Sequence, residues 1–213
     1  MNYRQELEKT LLKERGKGKK LLLHSCCAPC SSHVLTLLKE YFAITVLYYN
    51  PNITERDEYE KRVREQIRFI EALNHDMEGT DISYMDGEYV PGLFLETVKG
   101  YEHVPEGGAR CKLCFEMRLR ETARLAKEGD FDYFATTLTV SPLKNAALLN
   151  EIGLEMGECF GVEYLISDFK KKDGYKHSIE LSAQYDLYRQ DYCGCIFSKA
   201  ERNARKERTE DEL

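Results

Sequence analysis

The sequence predicts an α/β fold, a parallel sheet with helices on both faces, and two observations lead to this prediction. Short runs rich in Leu, Val, Ile and Tyr alternate with longer amphipathic stretches along the chain, a pattern typical of parallel strands joined by helical crossovers. The chain has 213 residues, 42% of them hydrophobic, so it can bury a core without disulfides. We expect a single α/β domain, with an N-terminal helix and basic loop at 1–19, a core at 20–199 and a charged tail at 200–213.

The first half of the chain supplies strand candidates at 20–24, 44–49 and 82–85. Helices are expected over 2–14, 56–73 and 90–99, with a further helix running from a cap at Ser31 or Ser32 to residue 40. Pro29 disfavours the helical conformation at the preceding Ala28.

The second half repeats this rhythm, with strands at 131–137 and 162–167 and helices at 111–127, 145–159, 178–188 and 197–207. In parallel α/β sheets, ligand sites lie beyond the carboxyl ends of the strands. Cys26 and Cys27 follow the first strand, the loop 136–142 follows a later one, and Asp168 follows the last. We therefore expect distant parts of the chain to converge on one rim of the sheet.

The cysteines are the strongest chemical signal, because seven of the eight fall into three groups. The start MNYRQELEKTLLKERGKGKK is not a signal peptide, and no apolar run approaches the roughly 20 residues that span a bilayer. We therefore expect a cytoplasmic protein without a membrane segment, and clustered cysteines in a reducing compartment favour metal binding or redox chemistry over structural disulfides. The lone Cys159 is expected to be a buried, small apolar residue. The groups are Cys26, Cys27 and Cys30; Cys111 and Cys114; and Cys193 and Cys195.

Each group has a distinctive spacing. Cys111 and Cys114 share one face of a helix start, where the helix N-terminus and Arg110 favour the thiolate form. The adjacent Cys26 and Cys27 are unusual for a zinc site, whose ligand pairs are commonly separated by two or more residues.

The Cys193-Gly194-Cys195 triplet leaves two interpretations open. It can close a small, strained and easily reduced disulfide, or it can supply two more metal ligands. Seven thiols exceed the four that saturate one cluster or one zinc ion, so the surplus indicates redox work or a second metal.

The charge pattern is uneven. The net charge of −6 argues against indiscriminate nucleic-acid binding, yet basic residues concentrate at 13–20, 170–172 and 199–208. Such clusters form solvated surfaces or bind phosphates. We expect Lys170, Lys171 and Lys172, which follow a strand, to approach nucleic-acid phosphates.

Four motifs in this sequence closely resemble those of the cobalamin-independent epoxyqueuosine reductases: HSCCAPC (24–30), EGGARCKLCFEMRL (106–119), TTLTVSPLKN (136–145) and YRQDYCGC (188–195). The likeness runs from about residue 21 to residue 199. It implies a Rossmann-like fold and the last step of queuosine synthesis, in which the epoxide of epoxyqueuosine in transfer RNA is reduced to the cyclopentene.

The resemblance also implies a [4Fe-4S] cluster with a further iron ion beside it, reduced by an external electron donor. Our hypothesis for the four cluster ligands is Cys26, Cys27, Cys111 and Cys114, which converge from a strand end and a helix start. Some family members carry Asp where this chain has Cys30, so the resemblance implies that this position binds the second iron.

Cys193 and Cys195 then form a redox-active disulfide or join Cys30 at the second iron. Loss of the epoxide oxygen as water requires a proton donor, and His24, Asp191 and Tyr192 flank cysteines. We expect Asp191 to be a partly desolvated acid with a raised pKa.

Two other functions remain open at this point. An ATP-dependent transfer-RNA thiolase on the same type of sheet is expected to carry a glycine-rich phosphate loop after its first strand. The segment from His24 to Cys30 has no glycine, which argues against ATP. A non-catalytic zinc-binding adaptor is the other alternative, and metal content distinguishes it.

Overall fold

The computed structural model describes residues 1–211, and it confirms the expected α/β class with a five-stranded, all-parallel sheet surrounded by helices. Residues 212 and 213, the end of the predicted tail, lie outside the described residues. The strands are β1 (Lys19–His24), β2 (Phe42–Tyr48), β3 (Ser83–Asp86), β4 (Tyr133–Thr136) and β5 (Glu163–Tyr164). The helices are α1 (Tyr3–Glu14), α2 (Ala28–Leu38), α3 (Arg56–Asp76), α4 (Pro91–Thr97), α5 (Ala109–Glu128), α6 (Ala146–Phe160), α7 (Gly174–Gln184) and α8 (Ile196–Asp211), and a 3-10 turn covers Thr137–Val140.

The strand order is β3-β2-β1-β4-β5, so the chain builds one half of the sheet outward from β1 and then returns to build the other. The direction of winding reverses between β1 and β4. A crevice opens at such a switch point, beyond the carboxyl ends of the strands. The fold therefore places the segment after β1, which carries the first cysteine group, against the segment after β4.

Helices cover both faces of the sheet, as predicted, and alternate residues of β1 serve the two faces. Leu21 and Leu23 belong to the core that contains residues of α1, α2 and α3. Leu22 belongs to the opposite core, built with α5 and α6. All three leucines are fully buried, as expected for a strand at the centre of a parallel sheet.

The start of α2 differs from the prediction. The helix begins at Ala28, with Cys27 as its N-terminal cap residue, and not at Ser31 or Ser32. Pro29 lies in the first turn, where its missing N–H removes no helical hydrogen bond. The two serine hydroxyls donate back to the carbonyls of the preceding turn, so they act inside the helix.

The last third of the chain also departs from the expected bounds. β5 has only two residues, because the Asn150 side chain replaces the strand ladder further on, accepting from Ser167 N and donating to Ser167 O. α7 begins at Gly174, where a Cβ would lie 1.9 Å from Phe169 O. α8 continues to Asp211, so the predicted boundary between core and tail at 199/200 falls inside a helix.

None of the helices within residues 1–211 combines the length and apolar character needed to cross a bilayer.

Candidate metal centre

The first cysteine group follows β1 at the switch point, and hydrogen bonds from three other elements fix its loop. The Ser25 N–H donates to Leu47 O of β2 at 2.9 Å, and the Ser25 hydroxyl donates to Gln66 Oε1 of α3 at 2.7 Å. On the other side, the Cys26 N–H donates to Thr137 Oγ1 at 3.4 Å, just after β4. The thiols that follow are therefore held in place by both halves of the sheet.

Cys26, Cys27 and Cys30 bring their sulfur atoms together. The three Sγ atoms all lie within 4.8 Å of one another, and Cys26 Sγ is 3.8 Å from Cys27 Sγ. The adjacent cysteines can share one centre because the chain turns from extended backbone at Cys27 into α2, and Cys30 follows one helical turn later. This group can hold a metal ion.

The environment favours one thiolate among these three thiols. Hydrogen bonds from Cys27 and Cys30 hold the pKa of Cys26 well below its usual range. Burial raises the pKa of Cys27 to about 12, and the thiols of Cys26 and Cys27 raise that of Cys30. A cation bound here would favour the deprotonation of the other two, because metal ligation requires thiolates.

The second and third groups lie beside each other. Cys111, Cys114, Cys193 and Cys195 line one small space of about 20 Å³. Cys111 Sγ accepts from Gly107 N at 3.2 Å, and Cys195 Sγ accepts from Ser198 N at 3.3 Å. Burial raises the pKa of Cys114 to about 12 and that of Cys195 to about 11.

The expected effect of Arg110 and the helix start on the Cys111 and Cys114 thiols is therefore wrong for Cys114. The Arg110 guanidinium lines the same small space but donates to Val104 O and pairs with Glu201 at 2.9 Å. Burial determines the protonation of Cys114 in the absence of metal, and the helix N-terminus does not overcome it.

The Cys193-Gly194-Cys195 turn requires its glycine. Gly194 has φ of +120°, and a Cβ there would lie 2.8 Å from Ile53 Cγ1, so another residue would be strained. Arg62 holds the turn by donating to Cys193 O at 3.2 Å. Both thiols are free.

Arg118, one helical turn beyond Cys114, lies fully buried at the centre of the three groups. Its Nε donates to Cys114 O at 3.2 Å, but Nη1 and Nη2 have no hydrogen-bond partner among the described residues. Burial alone would lower the pKa of Arg118, yet the thiols of Cys114, Cys193 and Cys26 raise it. A buried guanidinium with two unused donor atoms fits an anionic group, such as an iron–sulfur cluster with thiolate ligands.

Lys144 is the second cation of the site, and its side chain is partly buried. Its Nζ lies 3.4 Å from Cys193 Sγ and 4.0 Å from Glu106 Oε1. Burial opposes its charge, but the thiols of Cys193 and Cys26 and the Glu106 carboxylate raise its pKa. Lys144 therefore stays an ammonium next to the thiols.

A cavity of about 430 Å³ leads from these thiols to the surface. Cys26, Cys30 and Cys193 line it together with Lys144, and Cys193 also lines the small space. Helix α8 and the segment before the Cys-Gly-Cys turn form the other wall. The cavity gives a small molecule or a single nucleoside access to the thiols.

Asp191 lines this cavity, but the expectation of a desolvated acid with a raised pKa is wrong. Its carboxylate pairs with Lys206 at 2.8 Å and with Arg202 at 2.7 Å, and its side chain is 50% exposed. The hydrogen bond from Lys206, followed by that from Arg202, lowers the pKa of Asp191. A proton-donating role for Asp191 stays a prediction, without the physical basis first assumed.

The other two proton-donor candidates differ. His24 is fully buried, with Nδ1 2.9 Å from Thr136 Oγ1 and Nε2 3.1 Å from Tyr49 O, and burial lowers its pKa to about 4. It is thus a neutral structural side chain. Tyr192 lines the cavity, and desolvation raises its pKa, so its phenol keeps its proton there.

One further prediction is corrected, because Cys159 is exposed on α6 and not buried. The approach of the three lysines at 170–172 to phosphates stays a prediction. Lys170 pairs with Asp168 and Lys172 with Glu8 of α1, and none of the three lines the cavity.

Sequence reasoning missed Lys144 and Arg118. Lys144 belongs to the motif TTLTVSPLKN, and Arg118 to EGGARCKLCFEMRL, so the motifs contained the signal. However, Lys and Arg side chains are mostly exposed in folded proteins, so the sequence alone places both residues on the surface. Only the tertiary fold shows that Arg118 is buried and Lys144 partly buried next to thiols.

Together these features define a class: an α/β protein whose parallel sheet brings three cysteine groups to its switch point, at a site able to hold metal. Comparison with known families narrows the class. Residues 21–201 match the family model described as "Epoxyqueuosine reductase QueH", and the chain belongs to that family.

Individual relatives are similar in sequence to this protein over most of its length. An epoxyqueuosine reductase QueH of Staphylococcus epidermidis is 44% identical over 202 residues, which are 93% of this chain and 84% of that protein. The Staphylococcus aureus protein of the same name is 45% identical over 181 residues, which are 84% of this chain and 75% of that protein. A Thermotoga maritima relative, also named epoxyqueuosine reductase QueH, is 36% identical over 185 residues, with 85% and 91% covered.

Proposed function

We propose that this protein is an epoxyqueuosine reductase that acts on epoxyqueuosine in transfer RNA. The observation that carries the proposal is the adjacency of thiols and cations in a chain of the QueH family. Cys26, Cys30, Cys193 and Lys144 line the large cavity, and Cys193 also lines the small space next to Cys111, Cys114, Cys195 and Arg118. The reaction takes two electrons and two protons; both carbon–oxygen bonds of the epoxide break, an alkene forms, and the oxygen leaves as water. The electrons come from an external donor.

Cys26, Cys27, Cys111 and Cys114 are the proposed ligands of a [4Fe-4S] cluster. Cys26 and Cys111 pack against the same apolar core, and Arg118 carries charge interactions with Cys26, Cys111 and Cys114. When bound, such a cluster supplies electrons one at a time at a potential set by charge, hydrogen bonds and burial. The unused donor atoms of Arg118 support an anionic group here.

Cys30, Cys193 and Cys195 are proposed to hold a further iron ion, with Cys193 and Cys195 forming a redox-active pair as the alternative. Cys30 and Cys193 line the same cavity, so an ion between them would face the substrate. The close approach of the Cys30 sulfur to those of Cys26 and Cys27 supports an ion adjacent to the cluster.

The chain's own residues supply positioning and charge. Lys144 places an ammonium on the wall of the cavity, and Arg118 places a second cation beside the neighbouring small space. Positive charge in a water-poor site stabilises the negative charge that develops on an opening epoxide oxygen. Tyr192 lines the same cavity and carries a proton that can reach this oxygen.

The decisive experiment combines metal analysis with single-turnover reduction of epoxyqueuosine-containing transfer RNA by anaerobically purified protein, with dithionite as electron source. Cys111→Ser and Cys114→Ser should remove the cluster absorbance and the activity. The matched control is Cys159→Ser, because Cys159 is an exposed thiol on α6. Zinc without iron or sulfide in the wild-type protein would favour the adaptor function instead.

Cys195→Ser distinguishes the two roles of the Cys-Gly-Cys turn. If Cys195 binds the second iron, the variant loses about one iron per chain and keeps its sulfide. If it forms a redox pair with Cys193, the variant keeps all its iron and loses activity. Wild-type turnover by Cys195→Ser would contradict both roles.

A further inference from the structure

The rim of the large cavity is strongly basic in a protein whose net charge is −6. Three acidic side chains line the cavity, Glu106, Asp191 and Glu201, against twice as many basic ones. The basic residues are Arg62, Lys144, Arg189, Arg202, Arg205 and Lys206. The excess positive charge indicates an anionic partner at this opening.

Helix α8 presents the outer part of this charge. Arg202, Arg205 and Lys206 are three and four residues apart and therefore share one helix face. The Arg205 side chain is 74% exposed, and its ion pair with Glu201 is loose, with 3.8 Å between nitrogen and oxygen. The Lys206 side chain is 59% exposed. Both cations can reach a ligand outside the cavity.

Arg189 adds a cation whose hydrogen bonds go to neutral groups. Its Nη1 donates to Ser182 Oγ at 3.0 Å and to Ser178 O at 3.5 Å, and no carboxylate lies within 4.0 Å among the residues that the structure describes. Tyr175 and Leu143, 38% and 78% exposed, line the same cavity. An exposed aromatic ring beside cations is the arrangement on which unpaired bases stack.

We propose that the face of α8 carrying Arg202, Arg205 and Lys206, together with Arg189, binds the phosphates that flank the target nucleoside in a single-stranded RNA loop. The inference rests on the proposed function, because a cavity that receives one nucleoside of a chain must have the neighbouring phosphates at its mouth. Tyr175 stacks on a base beside the target nucleoside. Arg202 and Lys206 are held in place by Asp191 until phosphates compete for them.

The test is the salt dependence of RNA binding by the iron-loaded protein. The probe is a fluorescein-labelled, unmodified anticodon stem-loop, followed by anisotropy between low and high NaCl. Each phosphate contact contributes a slope of about 0.7 to 0.9 in log K against log [NaCl]. Arg205→Gln combined with Lys206→Gln should therefore reduce the slope by about 1 to 2 and raise the Kd at least tenfold at physiological salt.

The control removes the same amount of charge elsewhere. Lys170→Gln combined with Lys172→Gln takes away two lysines that pair with Asp168 and Glu8 and do not line the cavity. This variant should keep the wild-type slope. Equal slopes for the α8 variant and the wild type, or a loss confined to the Lys170/Lys172 variant, would overturn the proposal.

A parallel assay of epoxide reduction in full-length transfer RNA separates this inference from the proposed function. If the wild type reduces the epoxide while the α8 variant keeps its binding slope, the surface is wrong and the function stands. If the α8 variant loses its slope while the wild type reduces nothing, the surface stands and the function is wrong. Melting curves of both double variants verify that they are folded.

Discussion

Lys144 Nζ lies 3.4 Å from Cys193 Sγ, so a partly buried ammonium contacts a thiol of the cysteine-rich site directly. This contact joins the loop after β4 to the turn before α8, two segments that are 49 residues apart. The ammonium also faces Glu106 and the ring of Phe115. Its positive charge therefore acts directly on the thiols that line the cavity.

Lys144→Met should make an adjacent iron–sulfur cluster harder to reduce. Loss of a nearby positive charge disfavours the added electron, and a tenfold change in a one-electron equilibrium corresponds to roughly 60 mV. We expect a negative shift of about that size in anaerobic spectroelectrochemical titration. Lys144→Arg keeps the charge and should keep the potential, as should Lys9→Met on α1. An unchanged potential in Lys144→Met would mean that Glu106 already neutralises the ammonium.

Arg118→Met should destabilise the iron-loaded protein more than the metal-free protein. The two unused donor atoms of Arg118 gain a partner only when an anionic group is bound, and breaking a buried charge pair costs about 3 to 5 kcal/mol. We expect the loss of unfolding free energy to be larger by about 2 kcal/mol in the iron-loaded form, measured by anaerobic denaturant titration.

Arg124→Met is the matched control for this comparison. Arg124 lies on the same helix but pairs with Glu121 and Glu128 at the surface, where such pairs contribute about 0 to 1 kcal/mol. If Arg118→Met lowers the unfolding free energy equally in the iron-loaded and the metal-free protein, the guanidinium stabilises the fold through packing.

The positions of the cysteine groups at the sheet rim could be predicted from the sequence. Strand ends and helix starts are local features, and parallel strands end at one rim. Lys144 and Arg118 could not be predicted in this way, because the burial of a cation depends on contacts between distant segments. Lys172 likewise has a partner that sequence reasoning did not predict. Its neighbours in sequence suggested a phosphate-binding cluster, but its partner Glu8 is 164 residues away.

Gly153→Ala should destabilise the fold. Gly153 lies on α6 where the helix packs against β5, and a Cβ would lie 2.4 Å from Cζ of the buried Tyr164 ring. Overpacking of this kind costs about 1 to 3 kcal/mol. Gly92→Ala on α4, where a Cβ would meet nothing within 4 Å, should instead stabilise by about 0.4 to 1 kcal/mol. Thermal unfolding of both variants tests this pair of predictions. An unchanged melting temperature for Gly153→Ala would show that the Tyr164 ring can move aside.

His33→Asn should change how stability depends on pH. His33 Nδ1 lies 2.9 Å from His177 Nδ1 between α2 and α7, and burial, with smaller contributions from His177 and Arg4, lowers the pKa of His33 to about 4. The unfolded chain binds this proton near pH 6.5 and the folded protein does not, so the wild type loses stability as the pH falls from about 6.5 to about 4.

Asn at position 33 cannot titrate, so the variant does not lose this stability. Its free energy of unfolding relative to that of the wild type should therefore rise as the pH falls through this window. We expect a relative gain of about 1 to 2 kcal/mol between pH 7 and pH 4.5, once the shift is reduced for the partial exposure of His33. Urea denaturation of both proteins at several pH values gives the difference directly. A difference that does not vary with pH would show that His33 has the same pKa in the folded and the unfolded protein.

The strand order has a consequence for how the protein is made. Translation delivers β1, β2 and β3 with the first three cysteines long before Cys111 or Cys193 leaves the ribosome, and N-terminal segments fold first. β4, which pairs with β1 at the switch point, arrives only after α5. A nascent chain could therefore trap a single ion at its first thiols, but the proposed iron centre would close only on the finished polypeptide and would have to receive its iron after synthesis.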